Sequence, residues 1–77
     1  MSESETILVV GDEESLRQTM KYTLQQAGYI VAIASDGDEA FKAVSRVQPR
    51  LIITDLKLER MDGLELLVNV RRVYPDI

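Results

Sequence analysis

Two short apolar runs in this chain each end on a carboxylate, and each is followed by sequence patterned for a helix. Ile7-Leu8-Val9-Val10-Gly11 leads into Asp12, and Leu51-Ile52-Ile53-Thr54 leads into Asp55. Continuous runs of β-branched and aliphatic residues suit strands covered on both faces, and such strands belong to parallel sheets flanked by helices. In open sheets of that kind ligands bind outside the carboxyl ends of the strands, where the strand order reverses. Two carboxylates placed there call for a cation, a proton or a chemical task to offset their repulsion.

Three strand-then-helix units are legible. The predicted strands cover about 6–11, 29–34 and 51–55, and the predicted helices about 14–27, 37–47 and 63–74. In the first helix Leu16, Met20, Leu24 and Ala27 share one face, and Gly28 stands where a helix stops in a left-handed residue. Asp12 is also suited to cap that helix. Ser35-Asp36-Gly37-Asp38 reads as a turn and cap before the second helix, which turns Ala40, Phe41, Val44 and Val47 inward. Asp62-Gly63 reads the same way before the third, whose stripe is taken as Leu64, Leu67, Val68 and Arg71; Pro49 and Pro75 close the last two units. Alternating elements with short connections imply right-handed βαβ crossovers. The expected fold is α/β, a three-layer parallel sheet in the order 2-1-3, with the first two helices on opposite faces and Asp12 meeting Asp55 at the switch point.

At 77 residues the chain has room for one small domain. Its 13 acidic and 9 basic residues, a net charge of -4, argue against a nucleic-acid surface and against anionic membranes. Without Cys there is neither a disulfide framework nor a thiolate metal site, and without His there is no imidazole catalyst or ligand. The polar start Met1-Ser2-Glu3-Ser4-Glu5 lacks the basic region and apolar core of a signal peptide, and no apolar run approaches the roughly 20 residues of a membrane span. A cytoplasmic location is the expectation.

Taken in register, Ile7-Leu8-Val9-Val10 with Asp12-Glu13-Glu14, Thr54-Asp55-Leu56-Lys57, and Met61-Asp62-Gly63-Leu64-Glu65-Leu66-Leu67 resemble the receiver domain of two-component response regulators. The match runs over nearly the whole chain in the right order and spacing. The resemblance implies a doubly wound, flavodoxin-like fold. It implies that Asp55 is the phosphoacceptor, taking a phosphoryl group from a phosphohistidine on a sensor histidine kinase. It also implies that Mg²⁺ is held by Asp12, Asp55 and the backbone carbonyl of Lys57, an all-oxygen set of the kind Mg²⁺ prefers. On this reading the chain is an acceptor and not an enzyme. A Mg²⁺-dependent phosphohydrolase would want a second acid two residues after the nucleophile, where Lys57 stands.

Three departures qualify the resemblance. Gly11 occupies the place of the first of two adjacent acids, which removes one carboxylate from the expected metal pocket. Glu59 occupies a place where Pro is common. The sequence ends at Tyr74-Pro75-Asp76-Ile77, where a receiver enters its fourth strand, so the expectation is a receiver truncated before that strand and impaired as a phosphoacceptor. In the order 2-1-3 the third strand is then an edge without Pro or Lys inside it, and such an edge invites pairing with another chain. A homodimer through Leu51–Asp55 follows. The alternative function is accordingly a non-phosphorylated module that self-associates through its third strand.

Overall fold

The structure is a computed structural model that describes residues 5–55, 57, 58 and 60–77. Its elements are β1 (Thr6–Val10), α1 (Glu14–Gln26), β2 (Ile30–Ala34), α2 (Gly37–Val47), β3 (Leu51–Thr54) and α3 (Gly63–Val73). The three strands are all parallel, in the order β2-β1-β3. Thr6 pairs with Ile30 and Val10 with Ala34 on one side, while Ile7 pairs with Leu51 and Val10 with Thr54 on the other. Each strand is within one residue of its expected extent. The expectation attached to Glu59 and the polar residues 1–4 lie outside the described residues.

β1 is central, and alternate side chains of a strand point to opposite faces. Leu8 and Val10 enter the main core with Ala34 of β2, Ala40, Ala43 and Val44 of α2, and Leu66 and Val70 of α3. Ile7 and Val9, the other parity, are also buried, and Val9 shares a small cleft with Leu16 and Met20 of α1. Helices α2 and α3 therefore cover one face and α1 the other, which is the expected three-layer arrangement.

Local chemistry explains the element ends. α1 closes in a Schellman turn: Gly28 donates its N–H to Gln25 O at 3.0 Å and Tyr29 to Leu24 O at 3.1 Å, with Gly28 at φ 100°. Asp36 caps α2 by accepting from Glu39 N at 2.7 Å, and Asp62 caps α3 by accepting from Glu65 N at 2.8 Å. α2 ends on Gln48 in the left-handed region, just before Pro49. Gly37, the first residue of α2, lies against Met61: a Cβ there would sit 2.7 Å from Met61 Cβ and collide with the Met61 carbonyl. The segment entering α3 is thus pressed onto the start of α2.

Three sequence expectations are corrected. The residue before α1 that stands as its cap is Glu13, with no side-chain bond to the helix, so Asp12 does not cap it. α1 has no buried residue at all; Leu16 is 48% exposed, because a single helix cannot close that face of a three-stranded sheet. In α3 the buried residues are Gly63, Leu66 and Val70, while Leu64 and Val68 are 64% and 53% exposed. Leu67, Val68 and Arg71 instead join Leu51, Ile52, Val70 and Ile77 around an open cleft of about 570 Å³ beside β3.

Candidate functional site

The carboxyl ends of β1 and β3 lie side by side at the switch point. Asp55 N donates to Val10 O at 3.3 Å, which carries the β1–β3 pairing one residue past the strand, and Gly11 N donates to Ala34 O at 3.1 Å, which does the same on the β2 side. Gly11 is therefore buried between the ends of the outer strands, next to Asp55. A Cβ on Gly11 would lie 3.3 Å from Asp55 Oδ2 and 3.8 Å from Arg17 Cγ. The glycine is not required by its backbone, which is not at positive φ. What it supplies is space beside the Asp55 carboxylate. Thr54 Oγ1 donates to Asp55 O at 2.9 Å and steadies the turn away from the strand.

The structure places the sequence-predicted residues unequally. Asp55 is exposed at the strand end. Asp12 is exposed one residue beyond Gly11, so the residue set directly beside Asp55 is Gly11 rather than Asp12. Lys57 is exposed two residues after Asp55; Leu56 between them is outside the described residues. Among the described residues no cluster of three or more acidic side chains is close enough to hold a metal by itself.

One residue of the site was not foreseen. Arg17, in α1, reaches back and donates Nη1 to Gly11 O at 2.6 Å. It is half-buried, and with Gly11, Glu13, Thr54 and Asp55 it lines a cleft of about 50 Å³, the room of one or two waters. A cation near the start of a helix opposes the helix dipole, so its position in the sequence was the available signal.

On the β2 side, Glu39 Oε1 accepts from both Ser35 N and Ser35 Oγ at 2.8 Å. The Ser35 N–H and then its hydroxyl hold the Glu39 carboxyl below its ordinary value of 4.5, against burial and the neighbouring Asp36, and Arg17 pulls in the same lowering direction. Arg60 Nε lies 3.6 Å from Asp36 Oδ2, tying the loop after β3 to the α2 cap. The site therefore comprises an exposed carboxylate at a switch point, a gap beside it, and a guanidinium over the end of β1.

Comparison with known proteins gives a consistent picture. The family described as response regulator receiver domain matches residues 7–77. The chain is 44% identical over 66 residues to the alkaline phosphatase synthesis transcriptional regulatory protein PhoP of Bacillus subtilis, covering 86% of this chain and 28% of that one. It is 36% identical over 67 residues to an uncharacterised 14.6 kDa protein of Leptolyngbya boryana, covering 87% of this chain and 51% of that one. Among solved structures, the chemotaxis response regulator CheY4 of Vibrio cholerae superposes with a TM-score of 0.85 at 38% identity, covering 88% of this chain and 57% of that one. A receiver domain protein of Clostridium thermocellum gives 0.87 at 27% identity, covering 92% of this chain and 58% of that one. The chain thus spans between about a quarter and a little over half of the length of these proteins.

Proposed function

The chain belongs to the response regulator receiver domain family, and on that premise we propose that it is a phosphoacceptor module of two-component signalling, with Asp55 as the acceptor. The observation that carries this reading is Asp55 itself, an exposed carboxylate whose backbone is set by the Val10 hydrogen bond at the switch point of a parallel sheet. A sensor histidine kinase is the natural donor. In the transfer an Asp55 Oδ bonds to phosphorus as the phosphorus–nitrogen bond of the donor histidine breaks, and the imidazole leaves with the electron pair and takes up a proton. The chain acts as acceptor and not as an enzyme, in the cytoplasm where such kinases present their phosphohistidine.

Mg²⁺ fits the residues in kind. Asp12, Asp55 and the Lys57 carbonyl would hold it; all are oxygen donors, and both carboxylates are exposed enough to leave room for the waters Mg²⁺ retains. When bound it neutralises the phosphoryl oxygens. With glycine at position 11 the set has two carboxylates, so the ion is held weakly. The chain's own part is to fix the Asp55 main chain, through the Asp55 N–H on Val10 O and the Thr54 hydroxyl on Asp55 O, and to keep the space above Gly11 open.

Intact-mass measurement after treatment with acetyl phosphate and Mg²⁺ tests this reading. The expected result is a single phosphoryl adduct, lost in Asp55→Asn. An adduct that survives Asp55→Asn would place the acceptor elsewhere.

A second reading, a self-associating module, draws on a separate observation. Among the described residues β3 has a free edge, Leu51 on it is 51% exposed, and the open apolar cleft runs beside it. Pairing of two β3 edges would give a continuous sheet with a two-fold axis. The two readings are compatible, and the dependence of stability on concentration tests self-association independently of phosphorylation.

A further inference from the structure

Arg17 donates to a backbone carbonyl, a weak partner for a full cation, and the bond to Gly11 O uses one of the five N–H donors of the guanidinium. The Arg17 stem and the Asp55 carboxylate flank the same point, the place where a Cβ of residue 11 would be, at 3.8 and 3.3 Å. A carboxylate at position 11 would project from that point, between the two, and would pair with the arginine. Gly11 leaves the guanidinium uncommitted to any acid at its own strand end. We propose that Arg17 is the resident phosphoryl-binding cation of this site: it releases the Gly11 carbonyl when Asp55 becomes phosphorylated, takes the new dianion in a forked contact, and lowers the demand for divalent metal.

The inference rests on the acceptor reading and deepens it. Phosphorylation replaces one negative charge on Asp55 with about two, and adds three strong acceptor oxygens. A guanidinium matches such a group with two parallel N–H···O bonds, and charge-assisted bonds of this kind exceed a bond to a neutral carbonyl. The cleft that holds both residues is small and partly walled by Val9, Val10 and Ile53, so the pairing is shielded from bulk water on one side. Arg17 already acts electrostatically across the end of the sheet, since it helps to hold Glu39 ionised on the β2 side. A short swing of its head group, with the stem in place, carries it from the carbonyl to the phosphoryl oxygens.

The test uses acetyl phosphate as donor. An Asp55 Oδ forms a new bond to phosphorus as the bond between phosphorus and the acyl oxygen breaks, and acetate leaves with the electron pair. The fraction of Asp55 modified is read by intact mass across a MgCl₂ series and in EDTA, for the unaltered chain, Arg17→Gln, Arg17→Lys and Gly11→Asp, each checked for folding by circular dichroism. Arg17→Gln should raise the Mg²⁺ concentration needed for half-modification roughly tenfold or more, the loss of the forked, charge-assisted contact. Arg17→Lys, which keeps the charge without the fork, should shift it less and in the same direction, and it serves as the decisive variant if Arg17→Gln fails to fold. Gly11→Asp should abolish modification in EDTA, because the new acid captures Arg17. As a readout independent of metal, the Arg17 guanidinium nitrogen resonances should move on modification in EDTA. Modification whose Mg²⁺ dependence is unchanged in both Arg17 variants overturns the inference and leaves Asp55 as acceptor. No modification in any version at saturating Mg²⁺ overturns the acceptor reading and the inference together.

Discussion

At the scale of single residues, two glycines do different work for the same lack of a side chain. Gly11 keeps a gap open beside a carboxylate, whereas Gly37 lets the start of α2 touch the Met61 backbone. A methyl at Gly11 needs Asp55 to yield by a few tenths of an ångström, and Asp55 is an exposed side chain. A methyl at Gly37 meets the backbone of Met61, which cannot yield without moving α3. Gly37→Ala should therefore destabilise the fold by about 1–3 kcal/mol, as overpacking does, while Gly11→Ala should cost less. Chemical denaturation of the two variants measures the difference, and equal losses would contradict it. The place of Asp55 at the end of β3 was legible in the sequence because a strand end is a local pattern. Arg17 was not, because its contact depends on a helix folding back over a carbonyl six residues earlier.

Helices and strands show why some faces were readable and others not. α2 carries its apolar residues on one side, and Ala40 and Val44 are buried where the spacing put them. α3 is apolar on two sides, so periodicity could not choose between Leu64, Leu67 and Val68 on one hand and Leu66 and Val70 on the other. Packing against α2 decides in favour of the second set. The caps were legible because Asp followed three residues later by Glu is a local signal, repeated at Asp36–Glu39 and Asp62–Glu65. Glu39 adds a pH dependence. Its carboxyl is lowered in the folded state, so its contribution is fully present above the unfolded value near 4.5 and is lost as pH falls through the lower folded value. Glu39 is exposed, so the effect is small. Thermal melts of the unaltered chain and Glu39→Gln should converge as pH drops below about 4.5 and separate above it, where the charged form holds Ser35. A separation that grew toward acid pH would contradict this assignment.

For the molecule as a whole, the balance of covered and uncovered surface dominates. Among the described residues, one face of the sheet carries two helices and the other one, and β3 has a free edge. Burying a few hundred Å² of apolar surface at roughly 25 cal/mol per Å² amounts to several kcal/mol. Exposed ion pairs such as Lys42–Asp38 at 3.3 Å and Arg50–Glu5 at 3.5 Å are each worth under about 1 kcal/mol. Apolar contact through Leu51, Ile52 and Leu67 should therefore govern how a chain of this sequence behaves in solution, and its melting temperature should rise with protein concentration. Ile52→Lys should remove that dependence and lower the melting temperature. A melting temperature independent of concentration, with sedimentation as a monomer, would count against self-association. The strand order was legible from the alternation of strands and helices. Which side chains of α3 line the open side of β3 was not, because that exposure is a property of the assembled layers and not of any one segment.

The central position of β1 also sets an order in time. β1 is made first, yet its partners are far along the chain: Thr6 waits for Ile30, and Ile7 for Leu51. Pairings so distant in sequence form slowly, because a long loop must close before any contact rewards it. During synthesis β1 precedes both of its partners, and the side that meets Leu51–Thr54 stays unpaired until β3 has been made, after β2 has already covered the other side. The same strand that organises both layers of the finished fold is, during synthesis, the segment most open to capture by a chaperone or by another nascent chain.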